Sequence, residues 1–234
     1  VFDTTVDWKE LHRLLKVEFP VDVETLEGIN EIQFGYMKRP VHRSRQYDKD
    51  RYEVCNHRYT ALADESHGAA VLNDCKYGVS MDKNDIQLTL LRASASPEMR
   101  ADNRVHHFVY GFMAWEGSFL ESPVVQRGYE LNVPMQMAEG ACETRSAFGI
   151  DRDNVILDTV KLAEDGSGDF ILRLYESKRA DTTARVRLGI PAVSAALCSM
   201  MEEEEETAVM EGNELVLHFK PFEIKTVRVK IERK

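Results

Sequence analysis

The chain has 234 residues, of which 43% are hydrophobic and 30% are charged, and its formal net charge is -10. This composition is typical of a folded protein and excludes an intrinsically disordered one. The negative charge argues against nucleic acid or an anionic membrane as a partner, since both attract basic surfaces, and no apolar run reaches membrane-spanning length.

Alternating apolar residues predict β-strands along the first half of the chain. The segment 11–23 places Leu15, Val17 and Phe19 on one face. Pro20 lacks an amide donor, so this strand is expected at a sheet edge or at a bulge. Further strands are predicted over residues 31–36, 51–59, 69–72, 86–91, 105–115 and 131–134.

The second half has a more regular pattern of short strands. They are predicted over residues 155–163, 170–175, 183–190, 195–200, 215–219 and 224–231, with a hairpin turn at 165–168. The acidic run 202–206 is expected to be a solvated loop, because five like charges repel one another. No helix longer than a couple of turns is predicted. The expected fold class is therefore all-β, and short strands at this spacing suggest an antiparallel sandwich.

The four cysteines, Cys55, Cys75, Cys142 and Cys198, show no paired spacing. They are interpreted as small buried side chains of a cytoplasmic protein in a reducing compartment, although sequence alone leaves a disulfide open. The chain begins with Val1 rather than methionine, and we expect it to be a piece of a longer protein.

Residues 67–78 read His-Gly-Ala-Ala-Val-Leu-Asn-Asp-Cys-Lys-Tyr-Gly. The small apolar run predicts a short buried strand, and Asn73-Asp74 then favour a turn because their side chains bond nearby backbone. Lys76 and Tyr77 follow, so the segment is either a structural polar turn or a loop that presents functional side chains. Chemistry alone favours the structural turn.

A second candidate is the basic segment 38–45, which contains Arg39 and His42 in an acidic protein. It is either a solvated loop whose charges pair with nearby carboxylates, or a cluster of donors for hydroxyl or anionic groups. No nucleophile elbow, H-E-x-x-H motif or phosphate-binding loop is present. His106 and His107 would point to opposite faces of a strand, and 40 carboxylates are too many to nominate a catalytic pair.

Several ordered blocks of the sequence resemble family 38 glycoside hydrolases, the class II α-mannosidases, and most closely the cytosolic-type and bacterial branch. The longest block is residues 68–78. The others are residues 8–10, 14–20, 31–35, 39–40 with His42, 88–92, Pro97, 107–108, 172–176 and 220–223. The resemblance covers nearly the whole chain.

The resemblance implies that this chain is the C-terminal β region of such an enzyme. Residues 1–148 would form a large sandwich of the galactose mutarotase-like supersandwich type, truncated at its start and therefore with exposed sheet edges. Residues 149–234 would form a smaller immunoglobulin-like sandwich. An N-terminal barrel and a helical bundle would complete the parent chain and would be this chain's partners.

The same resemblance implies that the parent hydrolyses terminal α-D-mannosides with retention. Its carboxylates and its divalent metal, zinc or cobalt, would lie in the barrel, so we expect this chain to bind no cofactor and to be inactive alone. Asn73, Asp74, Lys76 and Tyr77 would line the wall of the sugar pocket, with His42 and Arg39 as second candidates.

Two other readings stay open. The same polar side chains could instead contact the barrel, which would make the chain a purely structural docking domain. A carbohydrate-binding module would need an exposed aromatic strip, for which Trp8, Trp115, Tyr110 and Tyr129 are the candidates. The oligomeric state is also open.

Overall fold

A computed structural model describes residues 1–231. The chain divides into two compact units, Val1–Gln136 and Met137–Lys234. Residues 133–147 contain no helix or strand. The boundary expected after residue 148 falls just beyond this segment, within the short strand Phe148–Ile150, and stays a prediction. No helix among the described residues is long and apolar enough to cross a membrane.

The first unit contains ten strands, two short α-helices and one 3-10 turn. They are β1 (Phe2–Asp7), β2 (Leu14–Pro20), β3 (Glu27–Ile32), β4 (Gly35–Pro40), α1 (Gln46–Asp50), β5 (Val54–Cys55), β6 (Tyr59–Ala63), β7 (His67–Asn73), β8 (Gly78–Asp82), β9 (Asp85–Arg92), β10 (Val105–Glu116), the 3-10 turn Phe119–Glu121 and α2 (Val124–Asn132).

Two antiparallel sheets form this unit. One has six strands in the order β1-β10-β7-β6-β3-β4, and the other has four in the order β2-β9-β8-β5. Alternate residues of each sheet enter a shared core, to which Leu62, Val71 and Phe108 contribute from one sheet and Ile86 and Leu88 from the other. The arrangement is a sandwich, because each sheet buries one apolar face against the other.

The second unit is also built from two antiparallel sheets over a separate core. Its strands are β11 (Phe148–Ile150), β12 (Val155–Leu162), β13 (Phe170–Glu176), β14 (Thr182–Leu188), β15 (Ala192–Cys198), β16 (Glu204–Thr207), β17 (Val209–Glu211), β18 (Glu214–Phe219) and β19 (Ile224–Ile231). The sheet orders are β11-β14-β18-β17 and β12-β13-β19-β15-β16. The all-β prediction is confirmed.

Several predicted elements were wrong. The strand expected over 31–36 crosses a turn, because Phe34 adopts a left-handed backbone with φ of 57° and separates β3 from β4. Within 51–59, only Val54–Cys55 and the first residue of β6 are extended. The basic segment 38–45 is not all loop, since Arg39 belongs to β4.

The strand expected over 131–134 is also wrong, because α2 occupies Val124–Asn132. Its two leading valines favour strands by propensity, but both are buried where α2 packs on β6 and β7. Tertiary packing therefore outweighs the low helix propensity of these β-branched residues.

The acidic run was expected to be a loop, yet Glu204–Thr207 forms the edge strand β16. Lys230 Nζ lies 2.8 Å from Glu204 Oε1 and partly neutralises the run. The prediction that the cysteines are buried holds only for Cys198, because Cys55, Cys75 and Cys142 are exposed; all four are free thiols.

Candidate functional site

The polar residues after β7 form a loop whose geometry is set by Asn73. This side chain is 1% exposed. Its Nδ2 donates to Asn56 Oδ1 at 2.9 Å and to the His57 carbonyl at 2.7 Å, while its Oδ1 accepts from the Lys76 amide at 2.7 Å. One buried amide therefore joins the start of the loop to the segment that precedes β6. We call residues 73–77 the β7 loop.

Asp74 attaches the β7 loop to β10. Its amide donates to the Val109 carbonyl at 3.2 Å, and its Oδ2 accepts from the Val109 amide at 3.0 Å. Lys76 lies over the Phe108 ring, with Nζ 4.4 Å from the ring centroid. The two Asp74 bonds extend the pairing of β7 with β10 by one residue, with the Asp74 carboxylate in the place of a backbone carbonyl. The Asp74 and Lys76 side chains are therefore directed at the sheet.

Tyr77 is the exception, because its side chain is 54% exposed. Its carbonyl accepts from the Asn56 amide at 2.9 Å and from Asn56 Nδ2 at 3.1 Å. Its ring is tilted against His57, with 5.6 Å between the centroids. The β7 loop thus presents one exposed aromatic ring on a backbone that is held on both sides.

A buried ion pair that sequence reasoning missed lies at the same end of the six-stranded sheet. Arg58 Nε donates to Glu31 Oε1 at 2.9 Å, and the Arg58 amide donates to Oε2 at 2.6 Å. The guanidinium carbon lies 3.7 Å from the centroid of the Tyr129 ring. The Arg58 carbonyl accepts from the Asn73 amide at 3.0 Å, which connects the pair to the β7 loop.

Burial raises the pKa of Glu31 above its ordinary value, although the Arg58 guanidinium opposes the shift. For Arg58, burial lowers the pKa, but the charge and hydrogen bonds of Glu31 outweigh it and the pKa is raised. Both shifts follow from a desolvated carboxylate whose main charge partner is the Arg58 guanidinium, with a smaller contribution from His57. Although Cys75 is an exposed residue, partial desolvation of its thiol raises the pKa to about 11, with the hydrogen bond and charge of Asp74 adding to the shift.

The two second candidates lie in different places. Arg39 Nη1 donates to Asn30 Oδ1 at 2.7 Å and to the Cys55 carbonyl at 3.0 Å. Cys55 pairs with Gly78, so Arg39 supports the sheet end that carries the β7 loop. His42 belongs to another region.

His42 precedes α1, where its Nδ1 lies 3.0 Å from Ser44 Oγ and 3.9 Å from Asp48 Oδ2. It lines a separate cavity of about 430 Å³ together with Thr25 and Lys83. The structure therefore groups Asn73, Asp74, Lys76 and Tyr77 with Arg39 behind them, and places His42 apart. Their role towards a ligand stays a prediction.

The aromatic strip that a binding module would need is largely internal. Trp8 and Tyr110 are buried at 9% and 8% exposure, and Tyr129 lies under Arg58. Within residues 1–231, no three His, Cys, Asp or Glu side chains are grouped so that they could hold a metal ion.

The Glu31–Arg58 pair had no signal in the sequence that marks it as a unit, because its members are 27 positions apart. The buried Asn30 and Asn56 likewise carried no motif of their own. Long-range polar contacts of this kind become visible only when the strands are placed in register.

Comparison with known proteins places both halves of the chain in one family. Residues 1–100 match the model of the glycosyl hydrolases family 38 C-terminal domain. Residues 154–227 match the model of the glycosyl hydrolases family 38 C-terminal beta sandwich domain. Together the two matches cover most of the sequence.

Curated relatives extend the similarity to nearly the whole chain. It is 38% identical to alpha-mannosidase 2C1 of Mus musculus over 234 residues, and 35% identical to alpha-mannosidase G of Dictyostelium discoideum over 237 residues. Each alignment covers 97% of this chain and 22% of the relative. The chain therefore spans about a fifth of the length of these relatives.

A solved structure has the same fold. The crystal structure of an alpha-mannosidase from Enterococcus faecalis V583 superposes with a TM-score of 0.79 at 17% sequence identity, covering 97% of this chain and 27% of that one. The family matches, the curated relatives and the shared fold lead to one conclusion: the chain belongs to glycosyl hydrolase family 38, whose C-terminal domains it contains.

Proposed function

We propose that this chain is the non-catalytic C-terminal β region of an α-mannosidase. Its relatives of 35–38% identity are named α-mannosidases, and it corresponds to about a fifth of their length. The β7 loop is held by hydrogen bonds, and the pKa of its one thiol, Cys75, is raised to about 11, which keeps that group protonated at neutral pH. The parent would be a cytoplasmic enzyme that hydrolyses terminal α-D-mannosides with retention.

In this proposal the N-terminal barrel supplies the nucleophile, the acid/base carboxylate and a zinc or cobalt ion. The metal would polarise and orient the sugar. The present chain packs on the barrel and helical domains and completes the wall of the sugar pocket. It needs no metal of its own for that role.

The observation that carries the pocket role is the exposed Tyr77 ring on a constrained backbone. A tyrosine ring can stack on the apolar face of a pyranose, and its hydroxyl can donate to or accept from a sugar hydroxyl. Because Asn73 and Asn56 fix the loop before a ligand arrives, little ordering entropy is lost on binding. Asn73 acts on the ligand through the loop, since its own polar atoms are used internally.

The claim that this chain is not catalytic is tested with the purified chain and an aryl α-mannoside, with and without added zinc or cobalt. No turnover above buffer is expected in either condition. Metal-dependent release of the aryl group would overturn the proposal.

The pocket role is tested by Tyr77→Ala in the full-length parent. Loss of stacking worth about 1 kcal/mol predicts a fall in kcat/KM of about fivefold. The matched control is Tyr52→Ala, because Tyr52 is 57% exposed in the same unit but lies outside the β7 loop. Equal kcat/KM values for the two variants would contradict the pocket role and would indicate that the β7 loop is purely structural.

The two other readings have their own outcomes. Saturable binding of mannose oligomers by the isolated chain would support a carbohydrate-binding module. A purely docking role predicts no such binding, and it predicts that this chain restores activity to the separately prepared barrel half even when Tyr77 is alanine.

A further inference from the structure

A cavity of about 580 Å³ lies in the first unit where the pairing of β2 with β9 ends. Its polar lining comes from three short segments of the chain, which contribute Arg13, Glu53, Arg92, Ser94 and Ser96. Residues 93–96 read Ala-Ser-Ala-Ser, and such small side chains leave space beside the two arginines. We call this volume the β2–β9 cavity.

The backbone at this sheet end fixes the positions of the two arginines. Leu14 and Arg92 are the terminal pair of the β2–β9 ladder. Beyond them the Ala93 amide donates to the Arg13 carbonyl at 2.9 Å, and the His12 amide donates to the Ala93 carbonyl at 3.0 Å. Arg13 and Arg92 are therefore held at neighbouring cross-strand positions by bonds that do not involve their side chains.

Neither of these guanidinium groups has a protein partner. In the part of the chain that the structure describes, no hydrogen bond, ion pair or ring contact involves the side chain of Arg13 or Arg92. The chain contains 40 acidic residues against 30 lysines and arginines, so a shortage of carboxylates does not explain this. Like charges at neighbouring cross-strand positions repel each other, and an anion between them removes the repulsion.

Glu53 is the one carboxylate among the described residues that line the cavity, and it is already engaged. Lys16 Nζ lies 3.3 Å from Glu53 Oε1, and the Thr89 hydroxyl donates to the same oxygen. Lys16 also donates to Ser80 Oγ at 2.7 Å. Since the Glu53 charge is balanced by Lys16, the charge that the β2–β9 cavity presents comes from the two arginines.

The donors that line the cavity match a phosphate group better than a carboxylate. A guanidinium presents a planar fork of N–H donors that suits the oxygens of either anion. Ser94 and Ser96 add two hydroxyls to which no described residue is bonded. A phosphate monoester has three strong acceptor oxygens and can use these additional donors. The cavity volume is also that of an ordinary small-molecule site, so it can hold the group that carries the phosphate.

We propose that the β2–β9 cavity binds a small phosphate monoester. Arg13 and Arg92 donate to the phosphate oxygens, the Ser94 and Ser96 hydroxyls complete the set of donors, and the esterified group fills the remaining volume. Binding is reversible, and no covalent bond is made or broken. This site does not depend on the proposed mannoside chemistry, so either proposal can fail without the other.

A carboxylate side chain of another protein segment is the competing occupant of this site. It would pair with the arginines, but it would leave the serine hydroxyls and most of the cavity unused. A concave site with two fixed cations and two free hydroxyls therefore favours the small molecule.

The test is isothermal titration calorimetry on the purified chain at neutral pH and low salt. The probes are glucose-6-phosphate, inorganic phosphate, glucose and acetate. Glucose-6-phosphate is expected to bind more tightly than inorganic phosphate, and glucose and acetate are expected not to bind. Equal or tighter binding of inorganic phosphate would overturn the monoester assignment, and acetate binding as tight as that of phosphate would overturn it in favour of a protein carboxylate.

Two substitutions, Arg13→Gln and Arg92→Gln, locate the site. Each is expected to weaken the binding of glucose-6-phosphate about tenfold or more, because hydrogen bonds between charged groups are the strong ones. The matched control is Arg127→Gln, which removes the same charge from an arginine that is 57% exposed and paired with Glu130. This control should change the affinity less than about twofold, since salt screens distant charges.

Thermal unfolding separates binding from a structural role of the arginines. Neither guanidinium has a partner to lose, so both cavity variants should keep the Tm of the unsubstituted chain in phosphate-free buffer. Glucose-6-phosphate should raise the Tm of the unsubstituted chain and of Arg127→Gln, but not of the cavity variants. A lower Tm without ligand in the cavity variants, or an affinity equal to that of the control, would overturn the proposal.

Discussion

Asn73→Ala removes the side chain that holds the β7 loop, and its consequence can be worked out from the hydrogen bonds. The substitution leaves the Lys76 amide, the His57 carbonyl and Asn56 Oδ1 without their partner. The amide side chain is 1% exposed, so water does not reach these groups without local opening. The perturbation is therefore one of unsatisfied buried polar groups rather than of lost apolar area.

Each intramolecular hydrogen bond contributes about 0.5–1.5 kcal/mol net to the stability of the folded state. A buried polar group that is left without a partner lowers the stability by somewhat more. With three bonds lost, the free energy of unfolding of the first unit is expected to fall by about 2–4 kcal/mol. For a domain of this size the fall corresponds to a decrease in Tm of about 5–15 °C.

Tryptophan fluorescence measures this change selectively, because both tryptophans of the chain, Trp8 and Trp115, belong to the first unit. The matched control is Asn84→Ala, since Asn84 is exposed and its side chain donates one hydrogen bond, to the Val21 carbonyl at 2.8 Å. The control should cost about 1 kcal/mol. If urea unfolding shows Asn73→Ala to be no more destabilising than Asn84→Ala, the assignment of the loop geometry to Asn73 is wrong.

Three further predictions follow from the burial and close packing of the first unit. Arg58→Ala leaves the buried Glu31 carboxylate without its ion-pair partner. The free energy of unfolding, measured in urea, should fall by about 3–5 kcal/mol. The Arg58 charge and hydrogen bonds oppose the burial that raises the pKa of Glu31, so this pKa should rise further in the variant. A carboxyl with a raised pKa destabilises the folded state as pH rises through that pKa, and the loss should therefore be larger at about pH 8 than at about pH 5. An equal loss at the two pH values would contradict a buried charge. With the other exposed cysteines replaced by serine, Cys75 should react with iodoacetamide about tenfold more slowly than an ordinary thiol at about pH 8. Its pKa of about 11 against 9.0 leaves about 100-fold less thiolate, and the greater nucleophilicity of that thiolate recovers about tenfold. A normal rate would refute the shift. Gly68→Ala places a methyl group against the Trp115 ring and should destabilise by about 1–3 kcal/mol by circular dichroism, unless Trp115→Leu is introduced as well.

The sequence predicts best where burial and alternation agree. The strand at 69–72 lies within β7, and that at 105–115 nearly coincides with β10, because their buried residues are apolar and their period is clear. The edge position of Pro20 is also confirmed, since among residues 1–231 β9 is the single strand that pairs with β2. In these segments local propensity and tertiary environment favour the same structure.

The failures occur where tertiary contacts decide the local structure. Phe34 occupies a left-handed turn position that usually selects glycine or asparagine, so no local signal separates β3 from β4. α2 begins with two valines that favour strands, and its placement depends on burial against β6 and β7. The site follows the same rule, because the sequence identified the β7 loop as a local motif but could not reveal the Glu31–Arg58 pair.

The polar residues at this sheet end indicate what their burial achieves. Asn30, Glu31, Asn56 and Asn73 are each at most 3% exposed. Buried polar groups contribute little more to stability than apolar side chains of the same shape, but their hydrogen bonds select one geometry. Here their partners lie largely in the 55–58 segment and the β7 loop, and these bonds fix the backbone beneath the Tyr77 ring. A sheet end that served only as core would gain as much from leucines, so the arrangement favours a surface of constant shape, as the proposed function requires.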